Sequence, residues 1–330
     1  MLSRVAENVF WLSRYLERAE GTARLVNTQD KMLMDLSGEE RQAGWQSLVS
    51  IAGMDTAFSS LAHEADEESV TRFLLADPNN PGSLINAANA IRVNLRSSRD
   101  TFPQVLYERI NGLCGYIRRH IDSDISTSKR QHFLSEVEHR LLAITGTIEG
   151  SLSHDIGYLM VRMGGLLERA DMTSRVLDVR ASSLPSRPMS DEPIASDERE
   201  WMSVLRSLSA YQMFRLHMRR PINGPDVLAF LMLDADLPRA YRFCLDHLGT
   251  CIEQLGANNR EALDALGRLQ RQLTDAELTT LARDAIALHE FIDSLQGGLA
   301  DVADAIADAY FPPREEVEET EEDTDIETST

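Results

Sequence analysis

The chain has 330 residues and a formal net charge of −20; 43% of it is hydrophobic and 26% charged. Such a composition belongs to a folded chain of one large or two ordinary domains, not to a disordered one. It argues against nucleic-acid binding, because an acidic chain without a basic, aromatic-interleaved stripe repels phosphates, and no run approaches the ~18 apolar residues of a membrane span.

The opening MLSRVAENVFWLSRYLERAE has no basic n-region, bare apolar core or small-residue cleavage site. No signal peptide is expected, and the chain reads as cytoplasmic. The same stretch places Val5, Val9, Leu12, Leu16, Ala19, Ala23 and Val26 at steps of four and three, the spacing of one helix face. The eleven prolines cluster at 78–81, 103, 185–193, 221–225, 238 and 312–313. Proline costs about 3 kcal/mol inside a helix, so the proline-free windows 1–77, 104–184 and 239–311 permit long helices. Leu141, Leu142, Ile148, Leu152, Ile156 and Leu159 give a second apolar series in the middle window. No alternating β-branched run or Asn-Gly hairpin turn interrupts the pattern. The expected fold is all-α. The stretch at 181–198, rich in Pro and Ser, reads as a linker. From Arg314 to the end, nine acidic residues face one basic residue, a segment of charge −8 expected to be disordered. Cys114, Cys244 and Cys251 are too few and too scattered for a disulfide framework or a zinc site, and read as small buried hydrophobes.

Comparing the chain with itself gives a sharper signal. YLERAEGTARLVN at 15–27 matches LLERADMTSRVLD at 166–178 at six of thirteen positions. VTRFLLADPNNPGS at 70–83 matches VLAFLMLDADLPRA at 227–240 in the same order, sharing Val70/Val227, Phe73/Phe230, Leu74/Leu231, Asp77/Asp234 and Pro81/Pro238. Two matches with nearly equal offsets predict a tandem duplication. One helical repeat spans 1–150, a second 151–311 with the linker inside it, and the acidic tail covers 312–330. Two such copies are expected to pack about a pseudo-two-fold axis.

The opening segment, NPGSLINAANAIRVNLRSSRD at 80–100 and HDIGYLMVRMGGLLERADMTSR at 154–175 resemble motifs of the alpha-E domain family, as does DADLPRAYRFCL at 234–245. The resemblance implies an all-helical bacterial domain rich in Glu and Arg. It also implies association with circularly permuted ATP-grasp proteins and transglutaminase-like peptidases, hence a place in ATP-dependent peptide or amide ligation.

The repeated motif carries the candidate chemistry. At 100° per residue, Glu20, Arg24 and Glu17 fall roughly 20–80° beyond the edge of the apolar stripe, with Glu168, Asp171 and Arg175 placed likewise in the second copy. Such groups are expensive to half-bury unless they pair with each other or hold a ligand. One reading is an ion-pair network locking two helices. The other is a polar pocket at the repeat junction, where Arg18, Arg24, Arg169 and Arg175 grip a carboxylate or phosphate, aided by Asn94, Arg99 and Arg239. On the pocket reading, at least one of Glu17 and Glu168 suffers like-charge repulsion and tolerates replacement by Gln. The carboxylates Glu17, Glu20, Glu168 and Asp171 have the oxygen chemistry of a Mg²⁺ site, but interleaved arginines compete for them. Only Glu136-x-x-His139 has di-iron spacing, so neither a metal nor another cofactor is expected. The chain has no Walker loop, Gly-rich dinucleotide loop or nucleophile elbow, and so is not itself the ligase. The expectation is a helical accessory protein of an ATP-grasp-type system, binding a peptide or amino acid. The alternatives are a stand-alone enzyme using the Glu/Arg carboxylates and a structural oligomerisation module.

Overall fold

The computed structural model describes residues 3–34, 38–61, 64–183, 195–256 and 258–311, except for the side chains of 127, 180–183 and 195–197. The proline-rich linker core and the acidic tail lie outside the described residues. Among the described residues there is no strand, in agreement with the all-α expectation.

The helices follow in chain order as α1 (Ser3–Leu33), α2 (Gly38–Ile51), α3 (Asp55–Ser59), α4 (Glu67–Leu75), α5 (Leu84–Ser97), α6 (Gln104–Asp124) and α7 (Thr127–Ser151). Then come α8 (Ile156–Ser183), α9 (Ala195–Ser207), α10 (Tyr211–Met218), α11 (Gly224–Leu233), α12 (Tyr241–Leu255), α13 (Arg260–Thr274), α14 (Leu278–Leu281) and α15 (Ala285–Tyr310). None of them is long and apolar enough to cross a membrane.

Helix α1 packs on α5 and α7, and α6 closes that group by packing on both. Helix α8 packs on α12 and α15, and α13 closes on both. The two groups meet where α1 lies along α8. Every member of the α1 stripe is buried except the partly buried Val5. Burying each large aliphatic side chain contributes about 1.5–3 kcal/mol, the main force behind the bundle.

The second apolar series is not one helix face. The chain breaks at Leu152, whose backbone is extended, and α8 restarts beyond it. The Asp155 carboxylate accepts from the backbone N–H groups of Gly157 at 2.8 Å and Tyr158 at 3.3 Å, capping the new helix. Ile156 at the start of the new helix is 46% exposed, and Leu142, next to the buried Leu141 within α7, is 61% exposed.

Helices α1 and α8 run parallel, because their contacts climb both chains together. A Cβ on Gly164 would run into the Phe10 carbonyl, and one on Gly21 would meet the Met172 Cε at 3.1 Å. Glycine is needed at 164 for this close approach. Between these two contacts lie the Glu-Arg pairs.

Candidate functional site

On one flank of the α1/α8 crossing, Glu168 accepts from Arg18 Nε at 2.5 Å, Arg18 Nη2 at 3.0 Å and Arg14 Nε at 2.9 Å. Glu168 is 2% exposed. On the other flank Glu17 accepts from Arg169 Nε at 2.9 Å and Arg169 Nη2 at 2.8 Å. The Glu of each helix is thus gripped in a two-pronged fashion by the Arg of the other, the geometry that suits a planar guanidinium to a carboxylate.

Arg239 stands in the turn before α12 and bridges Glu17 at 3.1 Å and Glu20 at 2.9 Å. The turn is fixed by Asp234, whose carboxylate accepts from the N–H groups of Asp236 and Leu237. Its carbonyl side is fixed by Thr173, which donates to the Arg239 carbonyl at 2.9 Å. Arg24 is buried; its Nη1 pairs with Glu20 and its Nε donates to the Ser207 carbonyl at 2.6 Å. Its counterpart Arg175 uses Nε to bond Asp171 at 2.8 Å. The end of α2 makes room for the Arg175 guanidinium. Gly53 has φ +67°, and a Cβ there would lie 2.6 Å from Arg175 Nη1.

The electrostatics follow the pairing. Burial alone would raise the Glu17 carboxyl, but the charge and hydrogen bonds of Arg169, backed by Arg239 and Arg24, bring it down to about 2. Glu20 is lowered as well: burial and neighbouring Glu17 oppose the shift, and Arg24 and Arg239 outweigh them. For Arg24, burial prevails and lowers its pKa. Arg18 and Arg169 are raised, because their carboxylate partners overcome the effect of burial. Like-charge repulsion between Glu17 and Glu20 is therefore outweighed by attraction to the arginines.

Two clefts flank the crossing. Arg18, Glu168, Asp171 and Arg175 line one of about 180 Å³. Glu17, Glu20, Arg169 and Arg239 line one of about 170 Å³. Both are smaller than the roughly 300 Å³ at which drug-sized ligand sites begin. The four acidic residues are divided between the clefts and each is held by arginine, so they do not form one oxygen cage.

Two residues expected at the junction lie elsewhere. The Asn94 amide donates back to the Ala90 carbonyl at 2.9 Å on its own helix. Arg99 stacks over the Tyr107 ring at 5.3 Å. Neither lines either cleft, because α5 carries them away from its N-terminal end, where Pro81 and Gly82 border the first. Glu136 pairs with Arg140 at 2.7 Å. Sequence reasoning missed Arg14, although it precedes Arg18 by one helical turn and stacks over Trp11 as Arg18 does over Tyr15. The three thiols are buried, and burial pushes Cys114 and Cys244 up to about 12.

The family description matching residues 1–311 is "a predicted alpha-helical domain with a conserved ER motif". Proteins described as uncharacterized, one from Mycobacterium bovis and two from Mycobacterium tuberculosis, are each 24% identical over an alignment covering 92% of this chain. That alignment covers 36% of each relative, so the chain spans about a third of the length of the curated relatives it matches. No solved structure matches the chain. With a match that runs through both Glu-Arg pairs at the crossing, the chain belongs to the Alpha-E family.

Proposed function

We propose that the chain is a helical accessory module built from two copies of one unit about a pseudo-two-fold axis. It works beside a circularly permuted ATP-grasp protein in peptide or amide ligation and presents a peptide or amino acid at the α1/α8 crossing. The ATP-grasp partnership rests on the family resemblance.

The duplication is supported by reciprocity. Counterpart residues Gly21 and Met172 touch each other, as do Ser13 and Gly164, which is what an axis between the copies requires. Glu17 with Arg169 mirrors Glu168 with Arg18. Asp77 and Asp234, aligned by the repeat, each cap the turn two residues on.

One observation carries the accessory reading: each acid of the repeated motif is held by arginine. Glu17 and Glu20, lowered by their arginines, are poor general bases near neutral pH, which weighs against a stand-alone acid–base enzyme. The greater length of the relatives agrees with a unit that acts next to another protein body. The complete pairing also favours a second reading, a purely structural module. Co-expression with the ATP-grasp protein separates the two. The accessory reading expects a stable complex and ATP turnover that rises when this chain and a peptide or amino acid are both present. No complex and unchanged turnover would refute it.

A further inference from the structure

The two clefts differ in what their arginines still offer. Both flanks hold three arginines against two acids. On the Glu17 flank the guanidiniums point into protein. Arg169 and Arg239 are turned onto Glu17 and Glu20, and the remaining Arg24 Nη2 is buried. On the Glu168 flank Arg175 bonds Asp171 through Nε alone. Among the described residues its two terminal nitrogens have no hydrogen-bond partner, and the side chain is 36% exposed at the wall of the 180 Å³ cleft. Arg18 lines the same wall. The rest of the cleft is mostly apolar, with Leu48, Ile51, Met54 and Leu74 from α2, the following turn and α4.

A planar fork with two free N–H donors matches a carboxylate bidentately, and an apolar wall beside it selects an aliphatic group. A volume of about 180 Å³ suits a group about the size of one amino-acid residue. Gly53 is the device that keeps the fork in place, since a side chain there would occupy its position.

We propose that this cleft binds a carboxylate flanked by a branched aliphatic side chain, with Arg175 as its clamp, and that the opposite cleft does not. The shared chemistry fits a free apolar amino acid or the C-terminal residue of a peptide. The proposal deepens the ligand half of the reading above and is independent of the ATP-grasp partner, because its test uses this chain alone.

The test is calorimetric titration of the full chain with leucine, N-acetyl-leucine, alanyl-leucine, leucinamide and inorganic phosphate. Saturable binding of at least one of the three carboxylates is expected, with leucinamide and phosphate at least about tenfold weaker. A preference for leucine assigns the free amino acid; a preference for N-acetyl-leucine or alanyl-leucine assigns the peptide end. Arg175→Gln should weaken binding at least about tenfold, as should Met54→Trp, which fills the apolar end. Arg239→Gln, on the opposite flank, should leave affinity unchanged. The proposal falls if no carboxylate saturates, if leucinamide or phosphate binds as well, or if either cleft variant binds like the parent chain. It also falls if the loss appears with Arg239→Gln instead. A partner complex that forms normally despite such a result would leave the accessory reading standing.

Discussion

Arg24 and Arg175 hold the same place in the matching segments 15–27 and 166–178, yet they meet different surroundings. Arg24 reaches the end of α9 and bonds the Ser207 carbonyl. Arg175 reaches the end of α2, finds Gly53 there, and turns back to Asp171. The loops differ to match. The turn before α12 supplies Arg239 to Glu17 and Glu20, whereas the aligned position before α5 is Gly82, which supplies no charge. One flank has become a closed ion-pair lattice and the other has kept an open guanidinium. A motif that recurs in the sequence thus meets two environments: both flanks hold α1 to α8, but only beside Glu168 does one arginine keep its terminal nitrogens toward solvent.

The largest expected effect separates the lattice from the open arginine. Glu168→Gln removes the acid shared by Arg14 and Arg18 in a buried setting and should cost about 3–5 kcal/mol in urea denaturation. Glu17→Gln should approach that figure. Arg175→Gln, which breaks only a part-exposed i,i+4 pair, should cost less than about 1 kcal/mol. A neutral Glu17→Gln or Glu168→Gln would restore the pocket expectation drawn from spacing. The same carboxylate gives a pH signature. Glu17 has a folded pKa of about 2 against an ordinary value of 4.5. A depressed carboxyl contributes stability in full above its unfolded pKa and loses it as pH falls toward the folded one. Stability should drop between about pH 4.5 and 2, and Glu17→Gln should flatten that limb in acid titrations followed by circular dichroism.

Exchanging the loop residues comes next. Arg239→Gly removes two charge-assisted bonds and should cost about 2–3 kcal/mol. Gly82→Arg offers the open flank the arginine it lacks. Stability should stay within about 1 kcal/mol, while carboxylate binding is lost to the new side chain. Retained binding in Gly82→Arg would place the ligand away from this loop.

The smallest effect concerns the two turns that follow α2 and α9. Gly53 and Ser209 both adopt positive φ, +67° and +53°, and each follows its helix with the same pair of backbone bonds. Serine tolerates that region poorly, so Ser209→Gly should gain about 0.5–1 kcal/mol in thermal denaturation, and Gly53→Ser should lose about as much.

The all-α fold and the course of α1 were legible because a long apolar stripe leaves little choice of period. The Glu-Arg pairs were legible because they recur. Their partners were not. Helix angles place Glu17 beside the core but do not say which arginine arrives from 152 residues away. Arg239 could be named from its position after an aligned proline, whereas Asn94 and Arg99 were misplaced because a helix axis carries residues one or two turns apart out of reach. The break at Leu152 was missed because the capping aspartate follows leucines that fit a continuous face. Gly53 carried no chemical signal at all; its role emerges only once Arg175 stands over it.

The seam between α1 and α8 joins residues 150 to 154 positions apart, as in the Arg18 and Arg14 bonds to Glu168. At ribosomal rates, α1 emerges roughly 8–30 s before its α8 partner is complete. During synthesis that flank of α1 must remain in water without sticking to other chains. Arg14, Glu17, Arg18 and Glu20 suit it to this interval, because charged side chains stay hydrated where leucines would stick. Replacing Arg18 and Glu168 together by leucine should therefore raise the insoluble fraction during rapid expression more than it lowers the melting temperature of the soluble protein.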